Sequence, residues 1–160
     1  MAGYHLRRKD REISDEGAIS GILASCRLAT IGMCRGSEPY IVTMNYGYDA
    51  GRRALYFHCA GEGLKLDFLG ENPSVCATVV DDKGYEHGKC EHKYRSLVVR
   101  GRMSEVKSLE EKKHGIDVLI DHQEKDPDPV KERNLTDDSA YEKFSILRLD
   151  IDGITGKQSL

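Results

Sequence analysis

The sequence predicts a mainly β fold: a small antiparallel barrel of six strands with two or three α-helices interposed. Three observations carry that expectation. Segments rich in β-branched, aromatic and aliphatic residues recur at residues 28–33, 40–48, 54–59, 75–80, 95–106 and 141–151. Short turns, such as Arg35-Gly36-Ser37 and Asp49-Ala50-Gly51, join several of them and favour antiparallel pairing. Several strands are also long and two-faced, and closing them into a barrel removes the edges that would otherwise invite aggregation. A two-sheet sandwich answers the same pattern.

The elements follow in order. Ser14-Asp15 can cap a helix whose Ile19, Ile22 and Leu23 share one face, ending near Cys26. Residues 28–33 form a short strand, and residues 40–48 and 54–59 a hairpin. Leu64, Phe68 and Leu69 mark a short amphipathic helix, stopped by Gly70 and by Pro73 beyond it. Residues 75–80 are a strand, and residues 81–92, polar and glycine-bearing, a long loop. The strand at 95–106 puts Leu97, Val99, Gly101 and Met103 on one face and Val98, Arg100 and Arg102 on the other. Gly101 in its middle predicts a bend or bulge. Residues 108–122 read as a helix capped by Ser108, with Glu110-Glu111 matching the dipole of its first turn. Residues 126–138, with Pro127 and Pro129, read as loop. In the last strand Leu147, Leu149 and Ile151 alternate with Arg148, Asp150 and Asp152.

At 160 residues the chain fits one domain with a core that needs no staples. Hydrophobic residues at 39% and charged residues at 32% suit a soluble globular protein. A formal net charge of −3 offers no general attraction to nucleic acid or to an anionic membrane. No apolar run approaches the roughly 20 residues that span a bilayer. The N-terminus is basic but no apolar stretch follows it, so no secretory signal is expected. Five cysteines, an odd and scattered set, point to a reducing cytoplasm.

The densest chemical signal lies after the hairpin. The strand ending at His58-Cys59 runs into Ala60-Gly61-Glu62-Gly63 and then a helix opening with Leu64 and Lys65. Glycines at a helix N-terminus leave backbone N–H groups converging on one spot, and a lysine in the first turn makes that spot suit a phosphate. Taken alone, Lys65 reads more readily as a solvated helix residue, and His58 as a packed strand residue. Thr43-Met44-Asn45 can be ordinary strand filling, unless that strand lies at an opening of the barrel where its edge could bond a ligand. His87, Cys90 and His92, with His114 and His122 elsewhere, fall short of the four-ligand spacing of a zinc site, and no metal is expected. Arg95, Arg100 and Arg102 lack the interleaved aromatics of a nucleic-acid stripe.

Taken together and in order, RRKDREIS, LATIGM, PYIVTMNYGYD, LYFHCAGEGLKLDFLGENPSVC, YRSLVVRGR and ILRLDIDGITGKQS resemble the nitroimidazole-resistance reductase family. That family belongs to the wider group related to pyridoxamine 5′-phosphate oxidase. The resemblance covers most of the chain and is weakest at residues 86–92 and 116–135. It implies a six-stranded split barrel of Greek-key type, a homodimer, and FMN held in a cleft between subunits. Carried over, Val42, Thr43, Met44, Asn45 and Tyr46 would lie along the isoalloxazine ring. His58, Cys59, Ala60, Gly63, Leu64 and Lys65 would surround the phosphate end. Tyr94, Arg95 and Ser96 match the family's Tyr-Arg-Ser start of the long strand, and Gly156-Lys157 its tail near the flavin. Two departures stand out: the chain has no tryptophan to cover the ring, and Cys59 replaces a small hydroxyl residue.

The resemblance implies a nitroreductase-like oxidoreductase, in which reduced FMN passes two electrons to a small-molecule acceptor such as a nitro compound. His58, with an ordinary pKa of about 6.5, is the candidate catalytic residue, able to supply a proton. Two other readings use the same loop: a flavin-binding electron carrier or sensor, and a protein that handles pyridoxamine phosphate.

Overall fold

Alternation along the long strands gives each one apolar face, and in the computed structural model those faces close on one another around the core of a barrel. The structure describes residues 6–160; residues 1–5, where the reading of the N-terminus begins, lie outside the described residues. The strands are β1 (Glu12–Ile13), β2 (Leu28–Arg35), β3 (Glu38–Asp49), β4 (Ala54–Cys59), β5 (Ser74–Glu86), β6 (Glu91–Glu105) and β7 (Ser145–Ser159). The helices are α1 (Glu16–Ser25), α2 (Leu64–Glu71), α3 (Leu109–Gln123) and α4 (Asp128–Asn134). All pairings are antiparallel, in the order β1-β7-β4-β3-β2-β5-β6, and β7 also pairs with β6. That last pairing closes six long strands into a ring; two-residue β1 is an addition at the edge.

The expected caps and breaks are present. Asp15 accepts a hydrogen bond from the Ala18 N–H at 2.6 Å, and Ser108 Oγ accepts one from the Glu111 N–H at 3.2 Å. The β6–β7 register shifts between Arg100 and Gly101. A Cβ on Gly101 would stand 1.9 Å from the Asp150 carbonyl oxygen, so only glycine fits that bend.

Four boundaries differ from expectation. Residues 81–92 are not a long loop: β5 and β6 continue as a ribbon to Glu86 and from Glu91, leaving a turn of residues 87–90. The ribbon projects past the core, so burial imposes no alternation on its sequence. Residues 128–134 are helical where Pro127 and Pro129 suggested loop, since proline is tolerated in a first helical turn. Residues 141–143 belong to a 3-10 turn (Asp138–Lys143), and β7 runs from Ser145 through two glycines to Ser159. Gly70 does not stop α2, which ends at Glu71.

Tyr46, Phe57, Leu55, Ile31, Leu97 and Leu147 fill the barrel, each with no exposed surface. Burying side chains of this size contributes about 1.5–3 kcal/mol apiece. A second core lies outside the barrel, where Ile116 and Ile120 of α3 pack on Tyr56 and Ile146. Two glycines allow α3 to lie this close. Gly47 of β3 faces the helix backbone at Leu119, and Gly115 of α3 faces Tyr56 and Ile146, so neither position has room for a Cβ.

Candidate functional site

The barrel has an opening, and β3 forms one side of it. β3 pairs with β4 only over Tyr46–Asp49, whereas β4 continues along β7 through His58 and Cys59. Residues 38–45 of β3 therefore pair with β2 alone. Among the described residues their other edge has no strand partner and offers N–H and C=O groups to the gap, the condition under which Thr43-Met44-Asn45 can serve a ligand. Residues 60–63 leave β4 at the same gap and lead into α2.

That loop has the local geometry of an anion cradle. Gly63 caps α2 with a φ of 132°, a conformation that side chains resist. Its carbonyl accepts from the N–H groups of Leu66 at 2.9 Å and Asp67 at 3.3 Å. The N–H groups of Leu64 and Lys65 have no partner within the helix and carry its positive end. Lys65 is half-buried and forms no ion pair among the described residues. The nearby acid, Glu105, is already engaged: it pairs with Lys107 and accepts from Ser145 Oγ at 2.6 Å. Those two contacts hold its carboxyl below the usual range.

His58 points outward, exposed, with its ring edge-on to Phe144 at 5.0 Å. Desolvation against that neighbour lowers its pKa, so the ring is neutral at pH 7. Phe144 is held in turn by Lys112, whose Nζ donates to the carbonyls of Tyr141 at 2.8 Å and Phe144 at 2.9 Å. Nothing in the sequence pattern pointed to Phe144, because the contact joins distant elements.

The predicted site residues separate by strand face. Thr43 and Asn45 point outward, and Thr43 Oγ1 lies 2.9 Å from Thr30 Oγ1. Val42 and Met44 pack half-buried against the core, and Tyr46 is fully buried with its hydroxyl donating to the Leu23 carbonyl at 2.6 Å. Burial drives the Tyr46 pKa well up and also raises that of the Cys59 thiol, which faces inward. These four residues have only backbone to offer a ligand in the gap. Ala60, Gly63 and Leu64 are exposed around the cradle.

Tyr94, Ser96 and Lys157 form a separate group. Ser96 pairs with Val80 and with Lys157, and three strand steps separate β6 from β3, a distance of roughly 14 Å. Arg95 shares the face of Leu97 rather than that of Ser96, and Asp81 holds its guanidinium at 2.5 and 2.8 Å. Between the two groups the outer sheet face carries Leu28, Ile41 and Val80, which are 52%, 68% and 53% exposed. A cleft of about 370 Å³ between α1 and the β3–β4 turn, lined in part by Ser20, Tyr48 and Arg53, contains none of the predicted residues.

The end of α3 also reaches the opening, again without a sequence signal. Gln123 contacts Arg27, Asn45 and Tyr46, while His122 contacts Cys26 and Tyr48. No described helix is long and apolar enough to cross a membrane.

Comparison with known proteins matches residues 15–158 to the family model described as pyridoxamine 5′-phosphate oxidase. An uncharacterised protein of Rhizobium meliloti (strain 1021) is 30% identical over 86 residues, which cover 54% of this chain and 51% of that protein. The match thus spans about half the length of that relative. Among solved structures, a Bacteroides thetaiotaomicron protein provisionally named for 5-nitroimidazole antibiotic resistance superposes with a TM-score of 0.78 at 26% identity, over 98% of this chain and 96% of its own. An Azotobacter vinelandii flavocytochrome has a TM-score of 0.82 at 17% identity, over 98% and 73%. A Mesorhizobium loti FAD-binding protein has a TM-score of 0.67 at 22% identity, over 94% and 98%. The fold is the antiparallel split barrel that these proteins share.

Proposed function

The chain belongs to the pyridoxamine 5′-phosphate oxidase family, and from that premise we propose that it binds FMN and works as an oxidoreductase on a small acceptor such as a nitro compound. The observation that carries the reading is the meeting at one gap of a glycine-capped helix start, a Lys65 with no ion pair and a strand edge with no neighbour, both among the described residues. A phosphate dianion needs N–H donors and a cation, and the loop supplies both. A flavin's pyrimidine side needs alternating donors and acceptors, which an unpaired strand edge supplies. The residues present therefore fit the group.

In this reading Leu64 and Lys65 hold the phosphate, residues 42–45 meet the ring through backbone, and Thr43, Asn45 and His58 line the outer side. Bound FMN supplies two-electron transfer to the acceptor. His58, whose pKa burial lowers in the chain alone, is suited to orient an acceptor by hydrogen bonding. Phe144 keeps water from one side of that imidazole.

A second copy of the chain completes the site. Tyr94, Ser96 and Lys157 lie three strand steps from the open edge of β3, and the exposed Leu28, Ile41 and Val80 between them suit a subunit interface. Five free cysteines support a cytoplasmic setting.

The test is the absorbance of the purified protein, followed by mass identification of the ligand released by heat. A flavin spectrum and the mass of FMN are expected, with turnover of a nitroaromatic when a reductant is supplied. Bound flavin without turnover would make the chain an electron carrier or sensor. A vitamin B6 chromophore would make it a handler of pyridoxamine phosphate. A colourless protein that takes up no FMN at saturating concentration refutes the proposal.

A further inference from the structure

Gln123, the last residue of α3, lies against the point where β3 parts from β4, and its hydrogen bonds determine the orientation of a neighbouring amide. Its Nε2 donates to the carbonyl of Arg27 at 3.0 Å and to that of Tyr46 at 2.8 Å. Both acceptors are backbone carbonyls, so the NH₂ group must face them and Oε1 must face away. That oxygen then accepts from Asn45 Nδ2 at 3.2 Å. An Asn45 amide that spends its nitrogen on Gln123 presents Oδ1 on its other side. Among the described residues that oxygen has no partner, and Asn45 is exposed. Asn45 is also the last residue of β3 before pairing with β4 begins at Tyr46. Its free acceptor therefore borders the gap.

The arrangement is braced. His122 Nε2 lies 2.7 Å from the Cys26 carbonyl, and His122 Nδ1 accepts from the Tyr48 N–H at 3.4 Å. Together the two residues fix the last turn of α3 across the start of β2 and the final third of β3. Rotating the Asn45 amide would set its oxygen against Gln123 Oε1, a repulsion that the two carbonyls prevent Gln123 from relieving.

We propose that Gln123 is a positioning residue: it holds Asn45 Oδ1 as a fixed acceptor for an imide N–H at the opening of the barrel. In a flavin that donor is N3–H, flanked by two carbonyls that the same strand edge can engage. The inference rests on the flavin reading, and it names the group on the ring that this chain selects. A purely structural staple would make the same contacts with α3 but would not discriminate between ligands with and without that hydrogen.

The experiment titrates FMN and N3-methyl-FMN into the full chain and into Gln123→Ala, Gln123→Glu and Asn45→Ala, with thermal melts of each apoprotein alongside. The native chain should prefer FMN by about tenfold, the scale of one well-placed hydrogen bond. Asn45→Ala and Gln123→Ala should reduce that preference to within about twofold, and Gln123→Glu, which cannot donate to the two carbonyls, should do the same. Asn45 is exposed, so its variant still decides the matter if the Gln123 variants fail to fold. Equal affinity of the native chain for both ligands overturns the inference. So does a Gln123→Ala protein that melts lower and binds both ligands more weakly while keeping the native preference. No binding of FMN by the native chain is a different result, which removes the flavin reading and this inference with it.

Discussion

Replacing Gly47 by Ala tests whether α3 is seated as described. The new Cβ would lie 2.6 Å from Leu119 Cα, 2.7 Å from Leu119 N and 2.8 Å from Val118 C. All three are helix backbone atoms, so no change of rotamer relieves the clash. An ordinary carbon contact is about 3.5 Å, and α3 must therefore retreat by roughly 0.9 Å. Overpacking of this kind costs about 1–3 kcal/mol. In a chain of this length each kcal/mol lowers Tm by about 2–4 °C, so Gly47→Ala should melt about 2–12 °C below the native protein at equal concentration. The retreat also stretches the Gln123 bonds to Arg27 and Tyr46 beyond useful length, so FMN affinity should fall together with stability. The assay is a melt of the apoprotein paired with a flavin titration below the melting range. A variant that melts within about 1 °C of the native protein and binds FMN unchanged would refute the close seating of the helix on β3.

Three further expectations follow from the same geometry. Lys65→Ala should weaken FMN binding by about 1.5–3 kcal/mol, the scale of a charge-assisted hydrogen bond, and unchanged affinity in a fluorescence titration would remove Lys65 from the cradle. Burial holds the His122 pKa below its ordinary value, with Arg27 acting the same way and the Cys26 carbonyl opposing. The unfolded chain then binds a proton first, at about pH 6.5, so stability should drop as pH falls through that value and level off below the folded pKa. His122→Gln should flatten this decline in urea titrations without abolishing it, because His58 is shifted in the same direction; a slope as steep as the native one would exclude His122 as a source. Ile41→Glu puts a charge on the open outer face, 68% exposed at that residue, and should convert the proposed dimer to a monomer in sedimentation; a native chain that sediments as a monomer, or a dimer that survives the change, would remove this face as the interface.

The fold was legible wherever burial writes a pattern into the sequence. Leu97, Val99 and Met103 alternate because β6 lines the barrel there, and the Gly101 bend could be read because only glycine tolerates the Asp150 carbonyl so near. The ribbon at residues 81–92 was not legible, since strands held out in solvent need no apolar face. The extension of β7 was hidden by its glycines, although Gly156 is required by its contact with Ile13. In the candidate site, the glycine-capped start of α2 with Lys65 in its first turn was legible as a local motif. Gln123, His122 and Phe144 were not, because each acts through partners 74 to 96 residues away or across separate elements. A polar residue at a helix end looks like a solvated one until its tertiary neighbours are known.

The five consecutive residues 42–46 could not all present side chains to one ligand, and the reason lies in strand geometry. Successive side chains point to opposite faces, so residues 42, 44 and 46 must face the core if Thr43 and Asn45 face out. In a fully paired barrel that would leave such a strand nothing but two side chains for recognition, because its backbone would be spent on neighbours. Here β3 has no β4 partner before Tyr46, and over residues 38–45 half of the backbone groups become available without disturbing the core face. One strand can then serve packing and binding at once: the inward residues stay apolar for stability, and the free edge carries the polar work. Asn45 stands at the junction of the two regimes, the first residue past the last β3–β4 pair, which is why the orientation of its amide, set from α3, bears on what the opening can hold.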